Sequence, residues 1–180
     1  MSASLLVTTI HWFLTGVFVL ALVHKVRAWP RFQASLAAYQ LVPSALVSAT
    51  AGLLVIAEAV VSVGLLLCQA WGLLLAQALL GLYALVIAIS VLRGRTHIDC
   101  GCGDEPTPVS WLLVVRNGLL ISIAVIAWRL MAEAGGITVF AWLNVILALG
   151  LSGLALLMYQ AIEQLLANRG RYQRLWHGVS

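Results

Sequence analysis

Cys100 and Cys102 flank a single glycine inside the longest polar stretch of an otherwise apolar chain, which runs from Arg93 to Pro108. A disulfide between residues this close closes a small strained ring, and strain makes a bridge easier to reduce than a relaxed structural one. The pair therefore suits thiol-disulfide exchange better than bracing. Two other readings stay open on the same residues. Soft-metal binding by Cys100, Cys102 and His97 would need a third or fourth rigid ligand, and only His97 or a carboxylate is near in sequence, so no metal site is assigned. Thiols without a role are the third. His97, Arg93 and Arg95 favour the thiolate, while Asp99, Asp104 and Glu105 oppose it.

Ionisable residues within apolar spans are costly and mark function by default. Glu58 and Arg116 are the two that stand out. Counting along helical spans, Glu58 lies ~14 Å from the face opposite the Cys-Gly-Cys loop and Arg116 lies ~9 Å below the loop's own face, too far apart to pair. Arg116 with Asn117 is placed beneath Cys100 and Cys102, suited to supporting a thiolate or binding an anionic or quinone-like oxygen; snorkelling of Arg116 to the interface is the plainer alternative. His11, Gln77, Asn144 and Arg129 fall by the same count in the half that contains Glu58, which predicts a buried polar cluster acting as interhelical glue or as a proton or substrate path. Cys68, on the opposite face from the pair, reads as a small apolar residue.

These groups must be positioned by membrane helices. The 180 residues are 63% hydrophobic and 9% charged, with a mean hydropathy of +1.05, which no water-facing globular surface can be built from. Five stretches, 5–24, 45–67, 71–92, 110–131 and 138–162, are long and apolar enough to cross a bilayer. The expected fold is an all-α polytopic helix bundle: a four-helix core plus one, with an interfacial helix between the first two spans, where Trp29 to Pro43 mixes aromatic, polar and apolar residues. Residues 1–163 form a single transmembrane domain and 164–180 a basic C-terminal tail. The first span lacks a preceding basic residue and a following small-residue cleavage site, and reads as a retained helix. A net charge of +4 and pI near 9.3 do not indicate nucleic acid, because the basic residues sit at span ends. Lys25, Arg27, Arg31, Arg93, Arg95, Arg169, Arg171 and Arg174 all fall on one face, so the positive-inside rule puts the N-terminus outside, with the C-terminus and the Cys-Gly-Cys loop cytoplasmic.

The order of features resembles the MauE family of methylamine utilisation, within the larger DoxX-like group: Lys25, Phe32, Tyr39, Pro43, Glu58, Arg93-Gly94, Cys100-Gly101-Cys102, then Ser110-Trp111 and Arg116-Asn117. The resemblance covers roughly residues 10–130. Cys102 departs from many relatives in being followed by Gly103-Asp104 instead of Phe-Gly. The resemblance implies a multi-pass protein of the bacterial inner membrane that supports maturation of the small (β) subunit of methylamine dehydrogenase, a periplasmic client rich in disulfides, beside a thioredoxin-like periplasmic partner. On this chain it implies Cys100 and Cys102 as the redox pair with Arg116 and Asn117 in support, and it assigns no role to Glu58 or Lys25. No cofactor is required, a quinone being the one candidate. A periplasmic client and a cytoplasmic loop require either an electron relay across the bilayer or the opposite topology. Two rival classes remain: a non-enzymatic export or assembly scaffold, whose basic tail contacts partners or anionic lipid, and a small transporter or metal carrier built on Glu58.

Overall fold

The computed structural model describes residues 3–95, 98, 108–133 and 142–177, with side chains described as far as Leu165. Cys100, Cys102 and His97 lie outside the described residues. Among the described residues six α-helices follow one another: α1 (Ala3–Arg27), α2 (Trp29–Ala38), α3 (Val47–Leu66), α4 (Ala70–Leu92), α5 (Trp111–Glu133) and α6 (Trp142–His177), with one 3-10 turn, Ser44–Leu46, leading into α3. Among the described residues, five helices are long and apolar enough to span a membrane: α1, α3 with its leading turn, α4, α5, and α6 as far as Leu165. The chain is thus an all-α, multi-pass membrane bundle. The expected spans hold to within a few residues where they are described.

Helix α1 is the hub, packing against α3, α5 and α6, while α4 packs most extensively against α5. Ile10, Leu14, Val17 and Phe18 of α1 meet Val61 and Leu65 of α3, Leu73, Ala76 and Leu80 of α4, and Leu120 and Ala124 of α5 in one buried core. Helix α6 is the added member and the least buried span. It docks on α1 through Tyr159, edge-on to Phe13 with ring centroids 6.1 Å apart, and through Leu156 over Gly16. The residues read as a basic tail continue α6 as helix to His177.

Short α2 follows α1 after a break at Ala28, with Pro30 near its start, where a missing N–H costs nothing. Ten residues cannot cross hydrocarbon. It lies on α3, with Phe32 and Ser35 buried. The α3–α4 hairpin is tight because glycines face each other: a Cβ at Gly72 would come within 2.5 Å of the Gly64 carbonyl carbon, and the Trp71 ring covers Gly64. The turn between them places Cys68 in the left-handed region, φ 52°.

Replacing Gly72 by valine should push α3 and α4 apart and cost about 1–3 kcal/mol. Thermal unfolding of the detergent-solubilised chain measures this; a melting point equal to that of the parent would show that the hairpin is not close-packed.

Candidate functional site

Glu58 is fully buried on α3, and its carboxylate is partnered across the bundle by α1 and α4. Lys25 Nζ donates to Glu58 Oε1 in an ion pair, and Tyr83 OH donates to the same oxygen at 2.7 Å. Lys25 also donates to Tyr83 OH at 3.2 Å. The ammonium is boxed by two rings, 4.7 Å from the Tyr83 centroid and 5.3 Å from that of Phe32 on α2, an arrangement that adds cation–π attraction in a low-dielectric setting. Lys25 is only 2% exposed. Glu58 Oε2 has no hydrogen-bond partner among the described residues, so one carboxylate oxygen accepts both donors.

This arrangement departs from the expectation that Lys25 marks a membrane edge and that Glu58 joins a cluster with His11 and Gln77. The reason is directional. Helical side chains lean toward their own N-terminus, so a lysine near the end of α1 points back into the bundle, and its four-carbon stem carries the charge deeper still. Lys25 was legible as Glu58's partner from that rule; Tyr83, one tyrosine in an apolar helix, carried no comparable signal. His11 is buried elsewhere, its Nδ1 donating to the Val7 carbonyl at 2.9 Å, and neither its Nε2 nor Gln77 Nε2 has a partner among the described residues. Arg129 is exposed, with its guanidinium 5.5 Å from the Trp128 ring.

Arg116 and Asn117 occupy different sides of α5. Arg116 Nη1 donates to Glu163 Oε1 on α6 at 2.7 Å, so its charge has a carboxylate partner that the sequence reading did not assign. Asn117 is buried at 2% exposure, and its Nδ2 has no partner among the described residues. The Cys68 thiol, in the α3–α4 turn, is pushed up by burial, opposed by a hydrogen bond with Trp12; the neutral thiol form fits its reading as a small apolar residue.

The loop that carries Cys100 and Cys102 is tied down on both of its described sides. At the end of α4, Gly94 adopts φ +72°, Gly94 N donates to the Val91 carbonyl and Arg95 N to the Ser90 carbonyl. This is a Schellman cap, which needs a residue that tolerates the left-handed conformation. Farther on, Val109 N donates to the Ile98 carbonyl at 3.0 Å, and Ile98 packs on Tyr39, Ile87, Val109 and Leu113. Tyr39 and Ile87 in turn wall a cavity of ≈ 180 Å³ whose lining also includes Lys25, Phe32 and Tyr83. The stem of the Cys-Gly-Cys loop and the buried ion pair therefore belong to one end of the bundle.

A family profile described as methylamine utilisation protein MauE matches residues 3–132. The chain belongs to the MauE family. Over 116 residues it is 40% identical to the methylamine utilization protein MauE of Paracoccus denitrificans, an alignment covering 62% of each chain. Its identity to the MauE of Paracoccus versutus is 38% over 133 residues, 69% of this chain and 72% of that one, and to the MauE of Methylophilus methylotrophus 38% over 100 residues, 54% and 53% of the two. The chain thus spans somewhat less than two thirds of the Paracoccus denitrificans relative. No solved structure matches it. The matched MauE region contains Lys25, Glu58, Tyr83, the loop and Arg116, and stops short of α6 and Glu163.

Removing one partner of a buried ion pair leaves an uncompensated charge. Lys25→Met should therefore cost about 3–5 kcal/mol, whereas Lys25→Met combined with Glu58→Leu should recover most of it. Unfolding of the two variants in detergent distinguishes the cases; a double variant as unstable as the single one would show that the two charges are not coupled.

Proposed function

We propose that this chain is a bacterial inner-membrane protein of methylamine utilisation that supports maturation of the methylamine dehydrogenase β subunit by thiol-disulfide exchange through Cys100 and Cys102. The observation that carries this reading is the anchored loop. The described residues on either side of the pair are anchored, by the Gly94 cap at the end of α4 and by the Ile98–Val109 hydrogen bond. A close-spaced cysteine pair in a loop whose described flanks are anchored is what exchange with a docking partner requires.

In the exchange, a thiolate of the partner attacks one sulfur of the Cys100–Cys102 disulfide. The disulfide bond breaks and a mixed disulfide forms; the partner's second thiolate then attacks that bond, leaving the partner oxidised and the pair as a dithiol. A thioredoxin-like periplasmic protein is the partner the family resemblance supplies, and direct exchange with it requires the loop to face the periplasm, the opposite of the topology that the basic residues give. Arg116 and Asn117 belong to this reading as positioning residues at the loop end of α5. Arg116, being paired with Glu163, serves to hold α6 against α5, and its charge is shared with that carboxylate.

Cys100→Ser and Cys102→Ser should each reduce the amount of disulfide-complete β subunit to the level of a strain lacking the chain, measured by alkylation and mass spectrometry of the client's thiols. Normal client maturation in both variants would favour the scaffold reading instead, in which the thiols are dispensable.

A further inference from the structure

Where the chain passes from α2 to α3, two hollows share Leu41 and Val42 as lining. One is an open groove of ≈ 430 Å³ around Gln40, Pro43 and Ser44; the other is the cavity of ≈ 180 Å³ between α2, α3 and α4. We propose that together they bind one glycerophospholipid of the bilayer, with an acyl chain in the cavity and the ester and phosphate groups over the groove. The site stands on these two hollows and is independent of the thiol-exchange reading.

The cavity has the polarity, direction and openings that an acyl chain needs. Its surface is almost wholly apolar, because Lys25, the one charged residue in its lining, has its ammonium taken up by Glu58 and Tyr83 and covered by the Phe32 ring. At 1.5 Å per residue, the lining residues Thr50 and Leu54 stand about 5 and 10 Å inside the start of α3, and Ile87 and Leu82 about 8 and 15 Å inside the end of α4. The cavity therefore runs along the helices, from the membrane surface through most of one hydrocarbon leaflet of ~15 Å. Its exposed lining residues lie at both ends: Leu41 is 38% exposed in the α2–α3 connection, and Leu82 is 45% exposed on a spanning helix. One opening meets the groove and the other meets lipid. Apolar cavities of about 150 Å³ stay dry and accept benzene, so this one suits about seven carbons of a chain. Left unfilled, its lining would lack contact partners.

The groove differs from the cavity as a headgroup differs from its tail. Gln40 and Ser44 are exposed in it, bringing an amide and a hydroxyl to the level of the helix ends, and both can donate to ester or phosphate oxygens. No acidic or basic residue lines it, so it reads groups common to glycerophospholipids and not headgroup charge. A free fatty acid would use the cavity and leave the groove empty. An acyl chain in the cavity packs on Tyr39 and Ile87, the residues that also carry Ile98, so the bound lipid backs the wall on which one flank of the Cys-Gly-Cys loop rests.

The test is photolabelling of the full chain in dodecyl maltoside with a phosphatidylcholine whose acyl chain carries a diazirine, followed by peptide mapping. Saturable labelling is expected on peptides of α2 and on residues 50–54 and 82–87, displaced alike by phosphatidylcholine and phosphatidylglycerol and about tenfold less well by oleate. Leu54→Trp and Thr50→Phe, which fill the cavity from α3, should each lower it about tenfold or more, whereas Leu149→Trp, at an exposed position of α6, should leave it unchanged. Gln40→Ala combined with Ser44→Ala should bring displacement by phosphatidylcholine down to that by oleate. Labelling that does not saturate, that spreads evenly over α5 and α6, or that survives both cavity-filling variants when these melt like the parent would overturn the site. Displacement of the parent's label by oleate as effectively as by phosphatidylcholine would overturn the phospholipid assignment, leaving a site for a free acyl chain alone.

Discussion

Burying a lysine and a glutamate inside a helix bundle is tolerable only if each neutralises the other's field, and much of this architecture serves that condition. Lys25 comes from α1, Glu58 from α3 and Tyr83 from α4, so three of the spanning helices are held in register by one polar contact. Short α2 completes the enclosure, placing Phe32 against the ammonium. A polar contact of this kind contributes little net stability compared with an apolar replacement, since desolvation offsets most of the attraction. What it does fix is geometry. Slippage of α1 against α3 by even one turn would leave two charges unpaired in hydrocarbon, a far larger cost than any packing defect in the surrounding leucines.

That register is transmitted to the chemistry. The end of α2 carries Tyr39 onto Ile87, and on the same cluster rest Ile98, Val109 and Leu113 at the two sides of the Cys-Gly-Cys loop. The glycine cap on α4 sets the direction in which the loop leaves. Loops that carry function are positioned by rigid elements, and here the rigidity traces back through Tyr39 and Phe32 to the ion pair. The Arg116–Glu163 pair plays a smaller part, fastening α6 to α5 at the same end of the bundle.

The sequence made the spans legible because hydrocarbon leaves little freedom: a span must be long, apolar and helical. The ten-residue α2 was legible too, since Trp29 to Pro43 is neither apolar enough to cross nor polar enough to be plain loop. The interior was harder. Axial counting grouped Glu58 with His11 and Gln77 and assigned Lys25 to a membrane edge, because it treats a residue as sitting where its Cα sits. For a lysine near a helix C-terminus this fails by the length of the stem and the backward lean of the side chain. Glu163 was missed as a partner of Arg116 for a related reason: it lies near the end of its span, where a carboxylate reads as ordinary interface, and nothing in sequence tells which helices adjoin. The glycines were partly legible. Gly72 and Gly94 have roles that only coordinates separate from the general abundance of glycine in membrane helices.

The account turns on Cys100 and Cys102 cycling between dithiol and disulfide within the intact protein. Its most direct test is to acid-quench membranes containing a Cys68→Ser chain, alkylate with a heavy maleimide, and read the number of labels by mass, first after treatment with a thioredoxin-like dithiol and then after treatment with its disulfide form. The account predicts two labels in the first state and none in the second, with a mixed disulfide to that partner trapped when either cysteine is changed to serine. Two labels in both states, with no mixed disulfide, would contradict it.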